Sequence, residues 1–188
     1  YGLPLVLGTA EIKLLEMTNA YATFANKGMG REPNAILEIK NKYDEEVDAG
    51  RIFFFFKRSF EPDAKRLVNE GAAFLLSSML ADNNARAESF GGSLTINRPA
   101  AVKTGTTEDY RDALTIGYTP NLAIGVWVGN NDNAPMDNIA GSLGAAPIWR
   151  NLMNTFLPEL PVASFEKPSS VIQTRICPFG LNKGPSYF

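Results

Sequence analysis

Histidine is missing from the 188 residues altogether. Without it there is no Ser-His-Asp triad, no Cys-His dyad, no histidine-ligated zinc and no histidine general base. Cysteine occurs once, at Cys177. A single thiol excludes intramolecular disulfides, cysteine-rich zinc sites and C-x-x-C redox pairs, and Cys177 reads as a small, partly buried hydrophobe. No apolar run reaches the 18 residues that a membrane-crossing helix needs. Neither charge dominates, with 18 Lys plus Arg against 20 Asp plus Glu. The basic footprint of a nucleic-acid partner is therefore absent. The Gly-rich phosphate loops G-x-x-x-x-G-K-[ST] and G-x-G-x-x-G are lacking too. Catalysis in such a chain falls to Lys, carboxylates, hydroxyls or backbone amides, with no metal and no cofactor expected.

What is there is globular: hydrophobic residues make up 45% and charged residues 20%. Residues from Thr9 to Lys27 place Ile12, Leu15, Ala20 and Tyr21 at helical spacings, with Thr9 as a cap and Gly28 as the stop. Ala35 to Lys40 alternates like a strand before the polar turn Asn41 to Glu46. The run Arg51-Ile52-Phe53-Phe54-Phe55-Phe56 reads as a strand apolar on both faces. A second helix is predicted from Pro62 to Ala81, then a polar loop from Asn83 to Asn97. Three closely spaced strands follow, Arg98 to Thr104, Ala113 to Tyr118 and Leu122 to Gly129, whose short connections imply antiparallel pairing. Ala145 to Leu157 carries Ile148, Trp149, Leu152, Met153 and Phe156 as the apolar face of a helix. Ser169 to Ile176 is read as a short strand and the stretch from Pro178 to Phe188 as a loose end. The class implied is α+β, an antiparallel sheet flanked by helices. Trp127 and Trp149 are read as core residues, and Asp132 and Asp137 as parts of a polar turn.

The chemically informative segment is Lys103-Thr104-Gly105-Thr106-Thr107, at the end of a predicted strand. Gly105 leaves room for a second backbone to pair along the strand. The hydroxyls of Thr104 and Thr106 are suited to donate to a carboxylate. Lys103 offers positive charge, and in a chain without histidine it is the natural group for proton traffic.

K-T-G is also the third signature of the serine penicillin-recognising enzymes. Followed by Ser or Thr it arises by chance in ~1 of 200 chains of this length at average residue frequencies, so the neighbourhood decides. Ala20-Tyr21-Ala22-Thr23-Phe24-Ala25-Asn26-Lys27-Gly28, Arg111-Asp112-Ala113, Ile116-Gly117-Tyr118-Thr119-Pro120, Gly125-Val126-Trp127-Val128-Gly129 and Ala146-Pro147-Ile148-Trp149 look like the stretches around K-T-G in class A, bifunctional penicillin-binding proteins. The resemblance runs in order through about positions 1 to 160. It implies a β-lactamase/transpeptidase-like fold, with 1–160 as the C-terminal portion of a transpeptidase domain and 161–188 as an extension.

It further implies a peptidoglycan D,D-transpeptidase acting through a serine acyl-enzyme. Lys103 would be catalytic, and Thr104, Gly105, Thr106 and Thr107 would bind substrate. Thr106 would also lend its amide to the oxyanion hole. Expected partners are peptidoglycan stem peptides, β-lactam antibiotics, the N-terminal remainder of the domain and a glycosyltransferase domain. The expected location is the outer side of the cytoplasmic membrane, through an anchor elsewhere in the polypeptide. The family's S-x-x-K and S-x-N motifs are taken to be missing and to lie before Tyr1. The chain thus reads as a domain truncated at its N-terminus, inactive by itself. Two other readings compete: a D,D-carboxypeptidase, which uses the same motifs, and a non-catalytic remnant that binds peptide carboxylates.

Overall fold

A computed structural model describes residues 2–3, 8, 10–36, 38–45, 63–176 and 186–187. Helix α1 spans Leu14–Ala25. Lys13, not Thr9, occupies its N-cap position, without a side-chain cap bond, while Glu16 places negative charge in the first turn. Thr9 itself lies outside the described residues. The helix stops as predicted: Gly28 takes φ +85° and its N–H donates to the Thr23 carbonyl at 2.8 Å. The same glycine lets the chain run close against Val68, whose N–H donates to the Gly28 carbonyl at 3.1 Å. That crossing forms a two-residue ladder, β1 (Met29–Gly30) antiparallel to β2 (Lys65–Arg66).

Among the described residues of the strand predicted at Ala35 to Lys40 no strand forms, Lys40 alone making an isolated bridge. The turn after it does form, with the Asn41 N–H donating to the Glu45 carbonyl at 3.0 Å. The phenylalanine run at 52–56, Pro62 and Cys177 lie outside the described residues. Helix α2 covers Glu70–Leu80, shorter than predicted because Asn69 caps it: the Asn69 side chain accepts from the amides of Gly71 and Ala72. A short helix α3, Asn83–Phe90, replaces the predicted loop. Asp82 caps it, accepting from Asn84 and Ala85 at 2.9 and 3.0 Å. Its composition is polar because it lies across the surface, and Arg86 ties it down by donating to the carbonyls of Leu80, Leu94 and Ala100. Burial holds the Arg86 guanidinium below its ordinary pKa.

The central sheet has the order β3-β4-β5, with β3 at Ala101–Thr106, β4 at Asp112–Thr119 and β5 at Leu122–Gly129. All pairs are antiparallel, and β5 matches its predicted bounds. Gly117 opposes Ile124 and Ile116 opposes Gly125, so the two glycines lie on opposite faces of the sheet. A Cβ on Gly125 would overlap Thr18 of α1; one on Gly117 would overlap the indole of Trp149. Helix α4, Ala145–Phe156, therefore covers one face, and α1, joined by α2, covers the other. Three layers result, helix on sheet on helix.

The α4 face holds the main core: Leu94, Ala100, Val102, Val126, Ala145, Ala146, Trp149, Met153 and Leu157. Positions 145, 149, 153 and 157 recur every four residues, which keeps one helix side against the sheet. On the α1 face Tyr118 is fully buried, edge-on to the rings of Tyr21 and Phe165. Phe165 arrives from the stretch after α4, which also lays Glu166 against Lys27. The strand predicted over Ser169 to Ile176 is confined to β6, Arg175–Ile176, paired with β7, Ser186–Tyr187. Residues 178–185 and 188 of the expected loose end lie outside the described residues. Trp149 is core as predicted, but Trp127 is not: it is 42% exposed, and its indole N–H donates to Asp112 at 2.7 Å.

Candidate active-site edge

The K-T-G segment occupies the last four residues of β3, the outer strand of the sheet. Only β4 pairs with it among the described residues, so its other edge is open. The direction of each backbone group follows from the turn. The Thr107 N–H points into the sheet, donating to the Asp112 carbonyl at 3.1 Å. Alternation along a strand then turns the amide of Thr106 and the carbonyl of Thr104 out to the open edge. Lys103 is exposed and its ammonium curls onto that carbonyl, Nζ to O 2.5 Å.

Side chains alternate in the same way. Lys103 and Gly105, opposite Ile116 and Leu114, face the α1 and α2 layer; Thr104 and Thr106, opposite Thr115 and Ala113, face the α4 layer. Lys103, Thr104, Gly105 and Thr106 thus share an edge, not a face, and Thr107 follows them in the turn. Gly105 needs no glycine for internal packing, since a Cβ there would meet only the Leu114 side chain at ordinary contact distance, 3.6 Å. Thr107 has a local role: its hydroxyl donates to the Asp112 carboxylate at 3.0 Å and accepts from the Asp112 amide at 2.8 Å. The donor of Thr107 is therefore committed to closing the turn. Asp109 and Tyr110 in that turn hold positive φ, 56° and 55°.

Residues that the sequence did not single out complete the edge. The loop from 130 to 144 folds back across the end of β3, bringing the Gly141 N–H to the Thr106 hydroxyl at 3.0 Å. Asp132 makes a turn by accepting from the Ala134 amide at 3.1 Å, and no acidic cluster among the described residues is arranged to hold a metal ion. No helix among them is long and apolar enough to cross a membrane.

One S-x-x-K spacing does occur, Ser164-Phe165-Glu166-Lys167, which corrects the reading that the chain has none. Its geometry is not that of a nucleophile beside its lysine. The segment belongs to no helix or strand, Ser164 lines a pocket with Phe24, Phe74 and Ser77 that includes no K-T-G residue, and Lys167 Nζ bonds the Val171 carbonyl at 2.8 Å. No serine is followed two residues later by Asn.

Residues 4–154 match the family model of the penicillin-binding protein transpeptidase domain. The chain belongs to this family. Penicillin-binding protein 2D of Bacillus subtilis is 32% identical over 96% of the chain, a span that is 26% of that protein. Among solved structures, penicillin-binding protein PonA1 of Mycobacterium tuberculosis aligns with a TM-score of 0.72 at 25% identity, covering 88% of this chain and 44% of that one. Penicillin-binding protein 1A of Haemophilus influenzae shares the fold, with a TM-score of 0.75 at 23% identity over 98% of this chain and 33% of that one. The chain spans about a quarter of the length of the curated relatives it matches. The resemblance drawn from K-T-G and its flanks is borne out at the level of the family, as is the fold class.

Proposed function

We propose that this chain supplies the K-T-G wall of a serine D,D-transpeptidase that cross-links peptidoglycan stem peptides. The observation that carries the proposal is the open edge of β3, where the Thr106 amide, the Thr104 carbonyl and the Lys103 ammonium stand together with no partner strand among the described residues. An extended peptide laid there gains backbone hydrogen bonds, and Gly105 leaves its approach unobstructed. Thr104 and Thr106 donate to the terminal carboxylate of the stem peptide, and Lys103 adds electrostatic attraction.

In the reaction a serine Oγ attacks the penultimate D-Ala carbonyl. Terminal D-Ala leaves as an amine with its proton, and an acyl-enzyme ester forms. The amine of a second stem peptide then attacks that ester and restores the serine hydroxyl. The Thr106 N–H stabilises the tetrahedral oxyanion alongside the amide of the nucleophile. Lys103 orients the hydroxyls of the other motifs. The nucleophile, its lysine and the S-x-N serine come from sequence outside this chain, because Ser164 and Lys167 are placed for other contacts. Residues 1–160 form the C-terminal portion of the transpeptidase domain and 161–188 an extension. β-Lactams acylate the same serine. A glycosyltransferase domain and a membrane anchor belong to the rest of the polypeptide, which works outside the cytoplasmic membrane.

Intact mass of the native gene product, before and after exposure to a penicillin, tests this. The expected result is a product longer than 188 residues that gains one adduct, while the 188-residue chain gains none. An adduct on the short chain would overturn the placement of the nucleophile, and a native product that stays unmodified would leave a carboxylate-binding remnant.

A further inference from the structure

We infer that Gly141 and Thr115 are positioning residues that fix the Thr106 hydroxyl as a hydrogen-bond donor toward a ligand carboxylate. A threonine hydroxyl has one proton and two lone pairs, so by itself it accepts or donates with little preference. Here one lone pair is taken by the Gly141 N–H at 3.0 Å, and Thr106 makes no hydroxyl donation among the described residues. An occupied acceptor leaves the proton to point elsewhere. That is the orientation a carboxylate needs and a donor group would find hostile.

Gly141 can do this only if it is held still, and two bonds hold its carbonyl. Its carbonyl accepts from the Thr115 hydroxyl at 3.2 Å and from the Ala146 amide, at the start of α4, at 2.9 Å. Thr115 is fully buried at the middle of the sheet, directly opposite Thr104, so its hydroxyl has no water to turn to. Between these bonds the Gly141 Cα rests against the strand: a Cβ there would lie 2.5 Å from the Gly105 carbonyl oxygen and 2.7 Å from that of Leu114. Glycine is needed at 141 for closeness. The connection runs from the buried Thr115, through residue 141, to the exposed Thr106, and it joins α4, β4 and the end of β3 at one point. Sequence offered no signal for it, since Gly141 lies in the small-residue stretch Ala140-Gly141-Ser142 and Thr115 in an ordinary strand pattern.

The inference rests on the carboxylate-binding role proposed above for Thr106. It is tested on the full-length protein, by the second-order rate of acylation by a fluorescent penicillin and by the methyl ester of that penicillin, which lacks the carboxylate charge. Thr115→Val is expected to slow acylation by the acid about tenfold, the effect of weakening one hydrogen bond to a charged group. The ester rate is expected to change far less, and Thr115→Ser, which keeps the hydroxyl, to restore the acid rate. Gly141→Ala is expected to show the same selective loss, larger than that of Thr115→Val. Equal losses for acid and ester would reveal general damage to the sheet and overturn the inference, as would no loss at all. Should Thr115→Val fail to fold, Thr115→Ser and Gly141→Ala still decide it by the ratio of acid to ester rates. A wild-type protein that takes neither compound would instead bring down the transpeptidase reading itself.

Discussion

The two faces of the sheet are built by different means. Against α4 the centre of the contact is apolar, with the Trp149 indole seated on the bare backbone of Gly117 and Met153 and Leu157 buried in the same cluster. Against α1 and α2 the buried centre is a phenol. Ser77 donates to the Ala73 carbonyl at 2.8 Å, so the Tyr118 hydroxyl, 2.9 Å away, donates to Ser77. Around that centre large apolar side chains stay in solvent, Leu15, Leu75 and Met79 among them. The centre of one face is filled by shape and the centre of the other by a directed hydrogen bond. α4 should therefore be the harder layer to alter without unfolding, and α1 and α2 should tolerate polar change.

The sharpest way to break the contrast is Trp149→Ala. It empties the best-packed site and should cost about 3–5 kcal/mol in denaturant unfolding. Next is Gly125→Ala on the other face, where the new methyl meets Thr18; overpacking of this kind costs about 1–3 kcal/mol, and a smaller loss would mean that α1 shifts freely. Tyr118→Phe should cost about 1 kcal/mol, because Ser77 keeps its bond to Ala73. Burial raises the phenol of Tyr118 above its ordinary pKa. The neutral form is therefore favoured in the folded state, and the stability it carries is fully present below the unfolded tyrosine pKa and lost as pH rises from there through the raised folded pKa. The Phe variant should lose that alkaline slope in a series of unfolding midpoints against pH.

The smallest effect is expected from Glu166→Gln. The Lys27 bond holds the Glu166 carboxyl below its ordinary range and Lys27 above its own. Whatever stability the pair adds is present at neutral pH, lost on the acid side as Glu166 protonates and on the alkaline side as Lys27 deprotonates. Both groups are exposed, so salt screens them, and no change in melting temperature at moderate ionic strength is the expected outcome.

The α4 face was legible in the sequence for the same reason that it is stable. Its contacts are apolar and periodic, so Trp149, Leu152 and Met153 announced a helix, and Leu122 to Gly129 announced a strand. What the sequence hid was polar. Helix α3 is held by the Asp82 cap and by Arg86, whose bonds reach residues 8 and 14 positions away. No local pattern encodes those. The late start of α2 follows from Asn69, a capping residue that sits seven positions after the predicted start at Pro62. At the candidate site, K-T-G was visible as a motif, whereas the bond from Gly141 to Thr106 spans 35 residues and exists only once the loop has folded back. Ser164 and Lys167 show the converse, a spacing that matches a motif while the local backbone gives it another use.

The two tryptophans end up in opposite surroundings, and that makes them an optical pair. Trp149 is fully buried and its indole N–H has no hydrogen-bond partner among the described residues, whereas Trp127 is part-exposed and bonded to the carboxylate of Asp112, which also braces the turn after K-T-G. A buried apolar indole emits to the blue and a solvated, hydrogen-bonded one to the red. A single emission spectrum therefore resolves two ends of the molecule: its blue component follows the cohesion of the α4 layer, and its red component follows the strand end where a ligand carboxylate would settle.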